Sequence, residues 1–171
     1  MDDTVIRDAE ASDAAGIAAI YNDAVIHTTA IWNETPVDAD NRRAWLAERQ
    51  AGGFPVLVAE GEGHILGYAT FGPWRPHEGY RHTVEHSVYV LDAARGRGLG
   101  RALMQALLAR AADAGLHVMV GGIEAGNQAS LALHRALGFR ETARMPQVGR
   151  KFDRWLDLVF MQRFVASDAV D

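Results

Sequence analysis

Six consecutive residues, Arg95-Gly96-Arg97-Gly98-Leu99-Gly100, constrain this chain more than any other stretch. They follow an alternating run, Thr83 to Leu91, and lead into Leu99, Leu103, Ala106, Leu107 and Arg110 at helical spacing, closed by Gly115. A strand therefore passes through a glycine-rich turn into an amphipathic helix. Glycines adopt positive φ and let a backbone approach a ligand closely. The helix behind them offers unpaired N–H groups and the positive end of its dipole. Together these make an anion site suited to a pyrophosphate, with Arg95, Arg97 and Arg101 adding charge. The bland alternative is a plain strand-to-helix turn with solvated arginines. Nucleotide motifs fit poorly. The third glycine comes one residue early for G-x-G-x-x-G, and no G-K-[ST] follows.

Composition narrows the classes further. The chain has 171 residues, 49% of them hydrophobic, which suits one domain with a substantial core. We expect that domain over residues 1–165 and a flexible tail over 166–171. A net charge of -5 argues against nucleic acid, so the local arginines suit a small anion. There is no cysteine, which removes disulfides, thiolate metal sites and a cysteine nucleophile. No apolar stretch reaches the roughly 18 residues a membrane span needs, and no signal-peptide core is visible. The expectation is a soluble cytosolic protein without a membrane partner.

The remaining elements follow from periodicity. Thr4 to Arg7 reads as a strand, and Ser12 and Asp13 as a cap before Ile17, Ile20, Tyr21 and Ala24 on a first helix. Asp38 to Gln50 is a second helix, ended by Gly52 and Gly53. Val56 to Glu60 and Ile65 to Phe71 form a hairpin about Gly61-Glu62-Gly63. Gly72 to Pro76 is a loop or edge bulge. On the strand from Thr83, one face carries Thr83, Glu85, Ser87 and Tyr89, and the other Val84, His86, Val88 and Val90. Val118 to Glu124 is a strand, Asn127 to Leu137 a helix, and Trp155 to Phe164 a last strand paired with a segment near Met145. Met104, Met119, Met145 and Met161 read as core. The fold class is α/β (α+β): a mixed sheet of about seven strands flanked by about four helices.

The glycine turn, as Arg95, Gly98 and Gly100 after Val88-Tyr89-Val90, resembles the acetyl-CoA motif of the GNAT acetyltransferases. Asn127, Ser130, Leu133, His134 and Leu137-Gly138-Phe139 resemble the family's next strand-helix segment. Ile20-Tyr21-Asn22, Thr28-Thr29-Ala30, Thr35-Pro36-Val37, Trp74-Arg75-Pro76, the run from Thr83 to Val90, Ile123-Glu124-Ala125, Val148-Gly149, Lys151-Phe152 and Trp155 resemble the phosphinothricin and methionine sulfoximine branch. The resemblance implies acetyl-CoA as co-substrate, a small amino-acid analogue as acceptor, and a homodimer. It implies that Val88, Tyr89 and Val90 hold the pantetheine, that Arg95, Gly96, Arg97, Gly98, Leu99, Gly100 and Arg101 hold the pyrophosphate, and that Asn127 and Ser130 bind the cofactor near the pantetheine or the thioester end.

The transfer needs a base for the amine, a polarised carbonyl and a route for the thiolate. Glu85 is the base candidate, with a structural glutamate paired to an arginine as the alternative. His134 stands where many family members carry a tyrosine acid; a merely packed histidine is the competing reading. Arg75, Pro76, His77, His86 and Ser87, with Glu85, are the substrate candidates, Arg75 for a carboxylate. Tyr21, Asn22, Thr28, Trp32 and Glu34 are candidates for the cleft roof. His82 and His86 would stand about 13 Å apart on a strand face, too far for one metal, so none is expected. Competing functions are a protein N-terminal or lysine acetyltransferase and a non-catalytic acyl-CoA sensor.

Overall fold

The computed structural model describes residues 4–166. Seven strands form one sheet in the order β1-β2-β3-β4-β5-β7-β6. They are β1 (Val5–Asp8), β2 (Val56–Gly61), β3 (His64–Pro73), β4 (Thr83–Val90), β5 (Val118–Glu124), β6 (Arg140–Lys151) and β7 (Arg154–Phe164). The helices are α1 (Ala14–His27), α2 (Ala39–Ala51), α3 (Leu99–Asp113) and α4 (Gln128–Ala136). Beyond Ala166, the expected tail lies outside the described residues.

Strand alternation distributes the core between the two faces of the sheet. On β2, Leu57 and Ala59 pack with Leu103, Met104 and Leu107 of α3 and Leu131 of α4. Their neighbours Val56 and Val58 pack with Ile17 and Ile20 of α1 and Leu46 of α2. On β4, Val84, Val88 and Val90 join the first cluster and Tyr89 the second, as the alternation predicts.

The expected cap at Ser12 and Asp13 takes a different form. Asp13 has helical dihedrals, and its side chain caps no helix N–H of α1. It accepts both terminal nitrogens of Arg7, at 2.8 and 2.9 Å, while Arg7 Nε reaches Glu60 at 2.7 Å. A short polar residue before a helix is read as a cap, but here an arginine from β1 claims it. Met145 is a second correction. It is 44% exposed on edge strand β6, whereas Met104, Met119 and Met161 are fully buried.

Strand β6 is far longer than the segment expected near Met145. Its turn into β7 is Phe152-Asp153, both at positive φ (51° and 57°). Two-residue hairpin turns of this kind usually announce themselves as Asn-Gly or Asp-Gly. The pair here carries no such signal.

Candidate active site

Strands β4 and β5 run parallel and pair only over Thr83–Glu85 against Val118–Val120. β4 continues to Val90 paired with β3 alone, while β5 turns to β7. The two strands therefore splay and open a wedge. Toward the wedge, the polar backbone groups of β4 beyond Glu85 lack a ladder partner, which buried peptide groups require.

The wedge opens into a cavity of about 890 Å³. Every residue expected to hold the cofactor lines it except Arg97, which is exposed on the turn. Gly96 and Gly98 have φ of +78° and +79°, and a Cβ at either would meet nothing within 4 Å. Open space over left-handed backbone is a cradle that a ligand can approach closely. Gly98 is the N-cap of α3, so the first-turn N–H groups face that cradle. A pyrophosphate fits this arrangement. Asn127 borders the cavity too, and its Oδ1 caps α4 by accepting from Ser130 N at 3.1 Å.

A second cavity, about 210 Å³, fills the wedge. It shares Val88, Tyr89, Asn127 and Ser130 with the first and adds Glu85, Ser87, His86 and His134. A third, about 510 Å³, lies under α2 and shares Glu85 and Ser87 with the second. Glu85 thus stands where the wedge meets a pocket on the opposite side. Burial pushes its carboxyl above the usual range, while Arg75 and then Arg49 pull it back. Its carboxylate has no hydrogen bond or ion pair among the described residues, which argues against the structural-glutamate reading.

Residues 17–139 match the family described as Acetyltransferase (GNAT). The chain belongs to the GNAT acetyltransferases. This acetyltransferase is 63% identical over 158 residues to an L-methionine sulfoximine/L-methionine sulfone acetyltransferase of Pseudomonas paraeruginosa, covering 92% of each chain. The structure of Salmonella typhimurium yncA with its cofactor acetyl-CoA superposes with a TM-score of 0.93, at 56% identity over 98% of this chain and 96% of that one. A Brucella melitensis structure described as a ribosomal-protein-alanine N-acetyltransferase is also 56% identical, with a TM-score of 0.92, covering 94% of this chain and 99% of that one. Among the described residues, no helix is long and apolar enough to cross a membrane.

The acetyltransferase buries a pair of histidines to which the sequence assigns separate tasks, His86 as a substrate residue and His134 as a proton donor. The strand pleat turns His86 away from Glu85 and Ser87, toward α4. Its Nδ1 donates to Val120 O at 2.9 Å, and its Nε2 stands 2.8 Å from His134 Nε2. His134 Nδ1 lies 2.7 Å from Ser130 O. With both ring nitrogens of each histidine engaged, His86 has none left for a substrate. His134 could donate a proton only by breaking one of its contacts. The two carbonyls take one ring proton each, and the contact between the rings needs a third, but two neutral imidazoles carry two. A third proton would charge the pair, and among the described residues no carboxylate bonds to it, although Glu85 and Glu124 line the same small cavity. Its neighbours are Phe139, 5.4 and 5.1 Å from the two rings, with Val120 and Gly121 on β5 and Ser130 on α4. Burial therefore holds His86 down to about 3 and lowers His134 as well.

This pair has a measurable consequence. Its folded pKa values lie below the unfolded value of about 6.5, so the unfolded chain takes up protons first. The stabilisation is complete above that pH and is lost as pH falls toward 3. Denaturant unfolding between pH 7 and 5 should show stability falling, with a slope approaching about 1.4 kcal/mol per unit per histidine. Glu85, raised by burial, contributes in the opposite sense. A His86→Phe chain should lose part of the slope. An unchanged slope in that chain would mean that the pair does not drive the acid loss of stability.

The remaining expected site residues are scattered. Arg75, Pro76 and His77 are exposed and line none of the three cavities. Arg75 donates to Trp74 O at 2.8 Å and lies over the Trp74 ring at 3.9 Å. Of the roof candidates, Thr28 lines the large cavity. Asn22 instead clamps Val37, with 2.8 Å bonds to its N and O. Tyr21 accepts from Asn33, and Trp32 covers Gly149.

Two residues important to the cavities carry no signal of that role in the sequence. Glu124 accepts from Thr29 Oγ1 at 3.0 Å and from Gly126 N at 2.9 Å, joining the loop after α1 to the end of β5. Lys151, 1% exposed, donates to the carbonyls of Val25, Thr28 and Ile31 at 2.6, 2.7 and 2.5 Å. A lysine is rarely buried unless it is paired, and the branch-like block Lys151-Phe152 gives no sign of this role.

Proposed function

We propose that this protein transfers the acetyl group of acetyl-CoA to the α-amine of a small amino-acid analogue, with L-methionine sulfoximine and L-methionine sulfone as the leading acceptors. The observation that carries the reading is the continuous path from the glycine cradle through the wedge to Glu85 and out into a separate pocket. Such a path brings two substrates together from opposite sides of the sheet, as direct transfer in a ternary complex requires. The 63% identity to a sulfoximine/sulfone acetyltransferase supports the acceptor class.

In this reading the turn Gly96–Arg101 holds the pyrophosphate, and the unladdered backbone of Val88 and Val90 hydrogen-bonds the peptide-like amides of the pantetheine. Bound there, acetyl-CoA supplies an activated thioester. Glu85 takes the amine proton, directly or through one water, and its raised pKa suits that task. The amine nitrogen then bonds to the carbonyl carbon as the C–S bond breaks. The backbone N–H of Val90, which the register turns away from β3, polarises the carbonyl oxygen. The thiolate leaves without an obligatory acid, since its thiol has a pKa of about 8.5. The protein works in the cytoplasm as a homodimer. Exposed Met145, Val148, Phe152 and Trp155 on the β6–β7 hairpin supply an apolar surface for the second copy.

A protein N-terminal acetyltransferase is the rival, favoured by the likeness to the Brucella melitensis structure. Thiol release from acetyl-CoA should be measured with L-methionine sulfoximine, L-methionine sulfone, phosphinothricin and Ala-starting peptides. We expect turnover on the amino-acid analogues and none on peptides. Turnover on peptides alone would overturn the acceptor class. No turnover on any amine would favour an acyl-CoA sensor.

A further inference from the structure

Glu85 has a neighbour that the sequence does not flag. Arg49, near the C-terminal end of α2, is half-buried and lines the third cavity with Trp45, Phe54, Glu85 and Ser87. Its guanidinium lies 5.8 Å from the Trp45 ring centroid. It makes no hydrogen bond or ion pair among the described residues. A cation beside a cavity whose donors have no hydrogen-bond acceptor, with only the Trp45 ring and the more distant charges of Glu48 and Glu85 near it, can take that acceptor from a ligand.

The sheet register shows how close that cation comes to the base. Gly72 on β3 is the direct partner of Glu85 on β4. Directly opposed residues carry their Cβ atoms on one face, about 5 Å apart. Gly72 has no side chain to occupy its place. A Cβ built there would lie 1.7 Å from Arg49 Nη1 and 2.8 Å from Cζ. The guanidinium therefore fills the side-chain slot beside Glu85 that glycine leaves empty. Arg75, the other cation whose charge acts on Glu85, is already stacked on Trp74 and bonded to its carbonyl.

In an α-amino acid the carboxylate carbon is two bonds from the amine nitrogen. Whatever holds that carboxylate must stand next to the group that faces the amine. Arg49 lines the same cavity as Glu85 and occupies the slot across β3–β4 from it, and its planar fork matches a carboxylate. We propose that Arg49, seated on Gly72, binds the carboxylate of the acceptor and so selects α-amino acids over simple amines. The proposal rests on the acceptor class argued above.

Initial rates should be compared for L-methionine sulfone and its decarboxylated analogue, 3-(methylsulfonyl)propan-1-amine. The chains needed are the wild type, Arg49→Met, Gly72→Ala and Arg75→Met. The wild type should favour the carboxylate-bearing amine by about 100-fold in kcat/KM, the worth of a charge-assisted pair. Arg49→Met should erase that preference while leaving the KM for acetyl-CoA unchanged; any change in base strength at Glu85, whose pKa Arg49 holds down, should alter the rates on both amines alike. Gly72→Ala should do the same by displacing the guanidinium; only the flexible end of Arg49 must move, so the fold should tolerate it. A preference that survives Arg49→Met, or that vanishes only in Arg75→Met, overturns the proposal. Equal rates on both amines in the wild type also overturn it, while leaving amine acetylation standing. Wild-type turnover of neither amine would instead strike the acceptor class itself, and the proposal with it.

Discussion

Replacing Glu85 by glutamine should lower kcat/KM for the acceptor by about 10² to 10³-fold at neutral pH, within the range general-base catalysis supplies. Glutamine keeps the shape and removes the ability to take a proton. The KM for acetyl-CoA should not move, because Glu85 lines the wedge and the acceptor pocket but not the large cavity. The pH profile separates this from a packing role. Burial raises the Glu85 pKa, with Arg75 and Arg49 opposing. Wild-type kcat/KM should therefore rise with pH through a value above the ordinary carboxylate range, as the base form appears. Deprotonation of the amine, at higher pH, adds a second rise. The Glu85→Gln chain should lose the first limb and keep the second. A variant within tenfold of wild type, with both limbs intact, would remove Glu85 from the chemistry.

The second large effect is on stability. Lys151→Met should lower the unfolding free energy by about 3 to 5 kcal/mol, because three carbonyls lose a charged donor and two or more stay buried. For a chain of this size that corresponds to a fall in Tm of about 10 °C. The ammonium reaches the last turn of α1 through Val25 O, where the helix dipole favours a cation, and then the loop at Thr28 and Ile31. Burial lowers its pKa. That loop carries Thr28, Thr29 and Ala30 along the large cavity, and Ala30 also borders the wedge. The KM for acetyl-CoA should rise alongside the loss of stability. Thermal unfolding and initial rates on the same preparation check both. A Tm within about 2 to 3 °C of wild type would show that the carbonyls find other donors.

Much of the fold is legible in the sequence because its signals are local. Periodicity, capping glycines and the Gly61-Glu62-Gly63 turn each act within a few residues, so α1 to α4 and β2 to β5 can be read in order. Strand β6 escapes for the same reason. It lies on an exposed edge without an alternating buried face, its register shifts twice, and its turn lacks glycine.

The site divides along the same line. The anion cradle is readable from the chain alone, because a strand, closely spaced glycines and a helix start are contiguous and their backbone forms the cradle. So is the facing of Glu85 and Ser87 away from Val88 and Val90, since a pleat follows from alternation alone. What lies beside them depends on long-range packing. The pairing of His86 with His134 spans 48 residues, and Lys151 reaches carbonyls more than 100 residues away. Arg49 comes to Glu85 because α2 lies over β3, and because Gly72, itself opposite Glu85, leaves room. Each is a contact between groups distant in sequence, set by strand order and register rather than by the neighbours of any one residue.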